Sequence, residues 1–160
     1  MADHHAFTGT DADTQAEAAA IDTAAEALLS VWDAAREGAA DRVSGSQLRA
    51  MLVVEEFDGI NLRGLAGSLG MILSSASRLC DRLVAAGMVE RFPGRTDRRE
   101  IALHLTPVGR RLLEDLRAER RRRLAEVLSR MSPAARHALL RGLTDFGAAL
   151  AGPEAGALTA

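Results

Sequence analysis

Between about Asp13 and Gly38 the apolar residues Ile21, Ala25, Leu28, Leu29 and Trp32 recur at intervals of three and four. That spacing lays one stripe along a long amphipathic helix and leaves an acidic, solvated opposite face. The twelve residues before it, MADHHAFTGTDA, show no period and read as a disordered tail, with His4 and His5 an inert terminal pair. Ser44 is an N-cap for a second helix carrying Leu48, Met51, Leu52 and Phe57 and ending near Gly59. Asn61 caps a short helix built on Leu62, Leu65, Ala66 and Leu69, which Gly70 closes. A further helix presents Ala76, Leu79, Cys80, Leu83 and Val84 and stops at Gly87. Two short helices across a tight, glycine-containing turn form a helix-turn-helix pattern.

The period then changes. MVERF and REIALHL read as two short strands around the turn PGRTDR, with Ile101, Leu103 and Leu105 alternating against Ala102, His104 and Thr106 as in a half-buried strand. Thr106 and Pro107 supply the N-cap and first-turn proline of a long helix to about Met131, striped by Val108, Leu112, Leu113, Leu116, Leu124, Val127 and Leu128. Ser132 and Pro133 repeat the signal for a last helix with Leu139, Leu140, Leu143, Phe146 and Leu150. The expected fold is mainly α: a winged helix-turn-helix with a two-stranded β wing, flanked by N- and C-terminal dimerisation helices. Its parts are a tail at 1–12, an N-terminal helix at 13–42, the winged domain at 43–105, dimerisation helices at 106–151 and a frayed end at 152–160. The stripes of the flanking helices are too extensive for one small winged domain to cover, so a second copy is expected against them, as a twofold homodimer.

Charge sharpens this picture. The net charge is only −2 and every one of the 20 basic residues is an arginine. Residues 1–60 hold 12 acids against 3 arginines, whereas residues 61–110 hold 4 acids against 8 arginines. Residues 111–160 hold 6 acids against 9 arginines, so the helix-turn-helix and hairpin are the most basic part of the chain, the electrostatic footprint of a phosphate-binding surface. A single cysteine, Cys80, rules out an internal disulfide and fits a reducing compartment, and no apolar run is long enough to span a bilayer. A cytoplasmic location and no membrane partner are expected.

On the second helix of the turn motif, Ser74, Ser75, Ser77, Arg78, Asp81 and Arg82 lie opposite Leu79 and Leu83. Short hydroxyls and forked guanidiniums suit a major groove, where arginine bonds guanine bidentately and serine serves base or phosphate. The competing reading is a solvated helix face with Asp81 paired to a nearby arginine. The hairpin tip adds Arg95, Arg98 and Arg99, and arginines are drawn into a narrow minor groove by its enhanced negative potential. Helix, turn, helix and basic wing in this order point to double-stranded DNA.

The stretch NLRGLAGSLG…SSASRLCDRLVAAGMVERFPGRTDRREIALHLTPVG resembles the winged helix-turn-helix of the MarR (multiple antibiotic resistance regulator) family. The resemblance rests on Leu65 and Ala66, Ser77 to Leu83, Gly87, the Glu90 and Arg91 pair, Asp97 to Arg99, and Leu105 to Gly109, and the helix order extends it over about residues 15–150. It implies a homodimeric transcriptional regulator, usually a repressor, that binds a near-palindromic operator and is weakened by a small, often phenolic or anionic, ligand. Ser74, Ser75, Ser77, Arg78, Arg82, Arg95, Arg98 and Arg99 are then the DNA-binding candidates, with Asp97 and Asn61 in structural support. The chain departs from the family in three places. Met71, Ile72 and Leu73 stand where a polar cap usually starts the recognition helix, so the cap falls to Ser74 or is absent. Gly64 and Gly67 lie inside the preceding helix, each costing up to about 1 kcal/mol against alanine. There is no oxidant-sensing cysteine near the N-terminal helix.

Other chemistries are weaker. Cys80 sits on the apolar face and reads as a buried small hydrophobe rather than a redox switch. His104 and His137 have no acidic or cysteine neighbours at metal-ligand spacing, so no metal and no cofactor beyond an aromatic or anionic effector is expected. The run Arg120 to Arg123 points all around a helix and pairs at i,i+4 with Glu119 and Glu126, the mark of charged surface. Trp32 reads as a core residue, with the lining of an effector cleft as the other role. No paired acids, phosphate-cradling glycine loop or nucleophile triad suggests an enzyme. The alternative function is a winged-helix protein-interaction module, antirepressor-like, without affinity for duplex DNA.

Overall fold

Helices and a small sheet follow one another as α1 (Phe7–Ala40), α2 (Gly45–Glu56), β1 (Ile60–Asn61), α3 (Leu62–Leu69), α4 (Leu73–Ala85), β2 (Val89–Pro93), β3 (Ile101–Leu105), α5 (Pro107–Ser129) and α6 (Pro133–Ala151). This computed structural model describes residues 7–40, 42–94 and 101–151. Residues up to Arg120 and those from Arg121 onward form two separate units. The helix α1 begins at Phe7, so residues 7–12, expected as tail, are its first turns. No proline interrupts that stretch, and an established helix gains one hydrogen bond for each residue it adds.

In the first unit, local sequence sets each helix start. Ser44 and Gln47 form a capping box at α2, in which the Ser44 amide donates to Gln47 Oε1 at 2.8 Å and the Ser44 hydroxyl accepts from the Gln47 amide. Asn61 Oδ1 accepts from the Gly64 amide at 2.8 Å, and Gly70 closes α3 in the left-handed conformation at φ +63°. The glycine at position 64 has a packing reason: a Cβ there would meet Ile60 Cγ1 at 2.9 Å. Gly67 has none, since a Cβ there would meet nothing within 4 Å.

The sheet has three antiparallel strands in the order β1-β3-β2, in which β2 and β3 are the expected two-stranded wing and β1 is one strand more, on the other edge of β3. Ile60 and Asn61 pair with Leu103 and Ala102, while β2 pairs along β3 from Val89 opposite Leu105 to Pro93 opposite Ile101. Strict alternation along β3 also fails. Leu103 and Leu105 are buried, but Ile101 is 51% exposed and Ala102 is buried. Ile101 lies at the wing end, past the core, and the other face of β3 is covered: Phe92 packs edge-on to His104 at 5.7 Å and Asp58 bonds its ring nitrogen at 2.8 Å.

The core joins Met51 and Val54 of α2, Leu65 of α3, Leu79, Cys80 and Leu83 of α4, Val89, Leu103 and Leu105 of the sheet, and Leu112 and Leu113 of α5. A polar lock fixes the exit from the wing. The Thr106 amide donates to Met88 O at 3.0 Å and its hydroxyl donates to Gly87 O at 2.6 Å, while that same hydroxyl accepts from the Gly109 amide at 3.0 Å. Thr106 is therefore the N-cap of α5 and its clamp onto the α4–β2 turn. Gly109 stands so close to that turn that a Cβ would lie 2.2 Å from Met88 O.

The second unit holds the end of α5 and α6, whose start is capped by Ser132 Oγ accepting from the Ala135 amide at 3.2 Å. The helix α6 buries none of its residues, leaving Phe146 62% and Leu150 80% exposed. In α1, Ile21 and Leu29 are likewise open.

Candidate nucleic-acid interface

The helix α4 owes its two faces to its sequence. Ala76, Leu79, Cys80 and Leu83 are buried at intervals of three and four, so Ser74, Arg78, Asp81 and Arg82 are left exposed, with Ser75 and Ser77 half-buried on the flanks. Of the recognition-helix candidates, Ser74, Arg78 and Arg82 thus face outward, and the two flanking serines are less accessible. The N-cap position is Ile72, which makes no side-chain capping bond; Ser74 does not replace it and lies inside the helix.

Asp81 is not a free member of this face. Its Oδ1 accepts from Arg91 Nη2 at 2.7 Å, linking α4 to strand β2 at the base of the hairpin. The connection between them is short. Ala86, Gly87 and Met88 alone separate α4 from β2, Gly87 takes φ +67°, and the Met88 amide donates to Leu83 O at 2.9 Å. Beneath the pair lies Cys80, fully buried, whose thiol is pushed above its ordinary range by burial against the weaker pull of Arg91. Arg95, Asp97, Arg98 and Arg99 lie outside the described residues; β2 and β3 are the stem that leads to them. Asn61 caps α3, as expected.

Behind this face, charged contacts tie α5 to the rest of the first unit. Arg117 grips Glu55 of α2 with both terminal guanidinium nitrogens, Nη1 at 2.9 Å from Oε1 and Nη2 on Oε2. That bond holds the Glu55 carboxyl below its ordinary value, with burial opposing, and raises Arg117 in turn. Arg120 departs from the expected charged surface. It lies 5.1 Å over the half-buried Trp32 ring, and burial, then the like charges of Arg36 and Arg117, lower its pKa. Arg122 does pair with Glu126. Two cavities border α1, one of about 260 Å3 lined by Asp33, Arg36, Val43 and Leu48 among others, and one of about 240 Å3 against Leu112, Asp115 and Glu119 of α5. Trp32 lines neither. Among the described residues no group of three or more His, Cys, Asp or Glu side chains is placed to hold a metal ion, and no helix is long and apolar enough to cross a membrane.

Comparison with known proteins decides the family. The MarR family model matches residues 43–101. The RV1404 protein of Mycobacterium tuberculosis is 32% identical and superposes with a TM-score of 0.74, over 89% of this chain and 97% of that one. The chain belongs to the MarR family. YfiV of Bacillus subtilis, an uncharacterised HTH-type transcriptional regulator, is 26% identical over 108 residues, 68% of each chain. A point mutant of MepR from S. aureus, solved bound to an oligodeoxyribonucleotide, shares the fold at 17% identity and a TM-score of 0.64, over 84% of this chain and 97% of its own. Members of the MarR family are transcriptional regulators and not enzymes, and this chain is a MarR-family transcriptional regulator.

Two features of this surface go beyond what the sequence specifies. The Asp81–Arg91 bond was foreseen only as one reading of Asp81, with no partner named, because the ten-residue separation crosses a turn. The exposure of Ile72 and Leu73 was not foreseen at all.

Proposed function

We propose that this regulator binds a near-palindromic operator in duplex DNA as a homodimer, with α4 in the major groove, the wing in the minor groove, and repression as the outcome. The observation that carries the reading is the outward face of Ser74, Arg78 and Arg82, on a helix held to the base of the β2–β3 hairpin through Asp81 and Arg91. A DNA-bound neighbour with the same fold supports it. The exposed stripes of α1 and α6 support the dimer: covering a side chain the size of leucine or phenylalanine is worth roughly 1.5–3 kcal/mol, and Ile21, Leu29, Leu140, Phe146 and Leu150 stand open in one copy. The two recognition helices would then lie roughly 34–36 Å apart, one turn of duplex. A small aromatic or anionic effector would weaken binding. The cavities beside α1 fall somewhat under the roughly 300–1,000 Å3 of typical ligand pockets, so a compact effector fits them best.

Selection of duplexes from a random pool, followed by titration across salt, tests this. Binding through several arginines should lose affinity with a log–log slope of about −0.9 per phosphate neutralised. Arg78→Ala should cost about 1–3 kcal/mol at one position per half-site, and Arg98→Ala or Arg99→Ala should weaken all sequences more evenly. A chain that retains no duplex at low salt is the protein-interaction module instead.

A further inference from the structure

The start of the recognition helix breaks a local rule. An N-cap residue normally lends its side-chain oxygen to the free amides of the first turn, and replacing such a residue with an apolar one costs about 1 kcal/mol. Here the cap position is Ile72, whose carbonyl accepts the Ser75 and Ala76 amides while its side chain offers nothing to the helix. Nor does the core claim it. Ile72 is 71% exposed and Leu73 48% exposed, although Met71 beside them is partly buried and packed on the core. The chain thus forgoes a cap and leaves two adjacent branched aliphatic side chains in water, at the end of α4 that in helix-turn-helix proteins meets the base edges. Their neighbours on the same end are Ser74 and Ser75, followed one turn on by Arg78.

We propose that Ile72 and Leu73 are specificity-determining residues that read the C5-methyl groups of thymines in the major groove. This rests on the DNA-binding reading above and adds to it a base and an atom. In the major groove the thymine methyl is the one apolar group that projects from a base-pair edge; apart from the flat C5–H of cytosine, the other marks are hydrogen-bond donors and acceptors. Aliphatic side chains have nothing to offer those, and a hydroxyl or guanidinium has nothing to offer the methyl. The two sets on α4 divide accordingly: Arg78 and the serines suit polar edges, and Ile72 and Leu73 suit thymine. Locally broken rules of this kind concentrate at functional sites.

The test uses the full chain and its selected duplex. Each thymine of the half-site is replaced in turn by deoxyuridine, which removes one methyl and keeps the pairing. At the thymines facing Ile72 and Leu73, loss of one methyl should weaken binding about fourfold, and loss of the symmetric pair about fifteenfold. Ile72→Ser and Leu73→Ser should bind the thymine duplex correspondingly less well, and the double variant should no longer distinguish thymine from deoxyuridine. A selected duplex indifferent to every such replacement overturns this assignment and leaves the regulator reading standing. So does a thymine preference that persists at full size in the double variant, or a double variant that keeps the preference while its dimer dissociates, which would give the pair to a protein contact. Absence of any retained duplex overturns both readings.

Discussion

Gly109→Ala adds a single methyl group at the point where α5 crosses the α4–β2 turn. The new Cβ would lie 2.2 Å from Met88 O and 3.1 Å from Met88 C, so one backbone must retreat by about 1 Å to restore ordinary contact. The carbonyl is not free to swing, because it accepts the Thr106 amide and precedes Val89, which is paired with Leu105. Overpacking of this kind costs about 1–3 kcal/mol, and a stretched Thr106–Met88 bond about 1 kcal/mol more. Alanine returns up to about 1 kcal/mol in helix propensity, which leaves a net loss of about 1–3 kcal/mol. For a chain of this size that lowers Tm by about 2–12 °C. Gly67→Ala is the matched control: the same change within a helix, in open space, and expected to raise Tm by about 2–4 °C. Thermal unfolding followed by circular dichroism, at one protein concentration for all variants, reads both. A Gly109→Ala chain as stable as the parent would refute the close approach, and equal losses at both sites would refute the assignment of cost to that contact.

Acid should expose the Glu55–Arg117 link. A carboxyl held below its ordinary value adds stability at neutral pH that is lost as the pH falls through the unfolded value of about 4.5 and on through the folded one. Glu55→Gln should therefore have a flatter stability profile below about pH 4.5 and cost less than about 1 kcal/mol at pH 7, since both side chains are partly exposed; parallel profiles in urea titrations would contradict this. The Cys80 thiol should react with an aromatic disulfide reagent only as fast as the domain opens, and labelling should accelerate with denaturant. Rapid native labelling accompanied by loss of DNA binding would make it a redox site.

What the chain spelled out locally, it spelled out well. Ser44, Asn61, Thr106 and Ser132 each cap a helix through a bond to a residue three positions on, so the starts of α2, α3, α5 and α6 follow from short windows. Strand β1 did not, because two residues carry no period; it exists only where β3 provides an edge, with the Gly59 amide reaching Leu103 O. The same limit applies to Arg120, whose ring contact with Trp32 joins residues far apart in the chain. Half the site was readable in advance: the buried positions of α4 fix which polar residues face out. Ile72 escaped because it precedes the first helical turn, where helical spacing says nothing about which way a side chain goes.

The bond from Arg91 to Asp81, together with the three-residue link between α4 and β2, has a mechanical result. Helix and hairpin stem are fastened at one corner, like the arms of a caliper with a fixed opening. On the proposed DNA-binding reading, a duplex would have to offer a major groove and a neighbouring minor groove at that separation, so the corner would gauge the width of the double helix. Loosening the corner with Asp81→Asn would leave each arm intact and spoil the gauge.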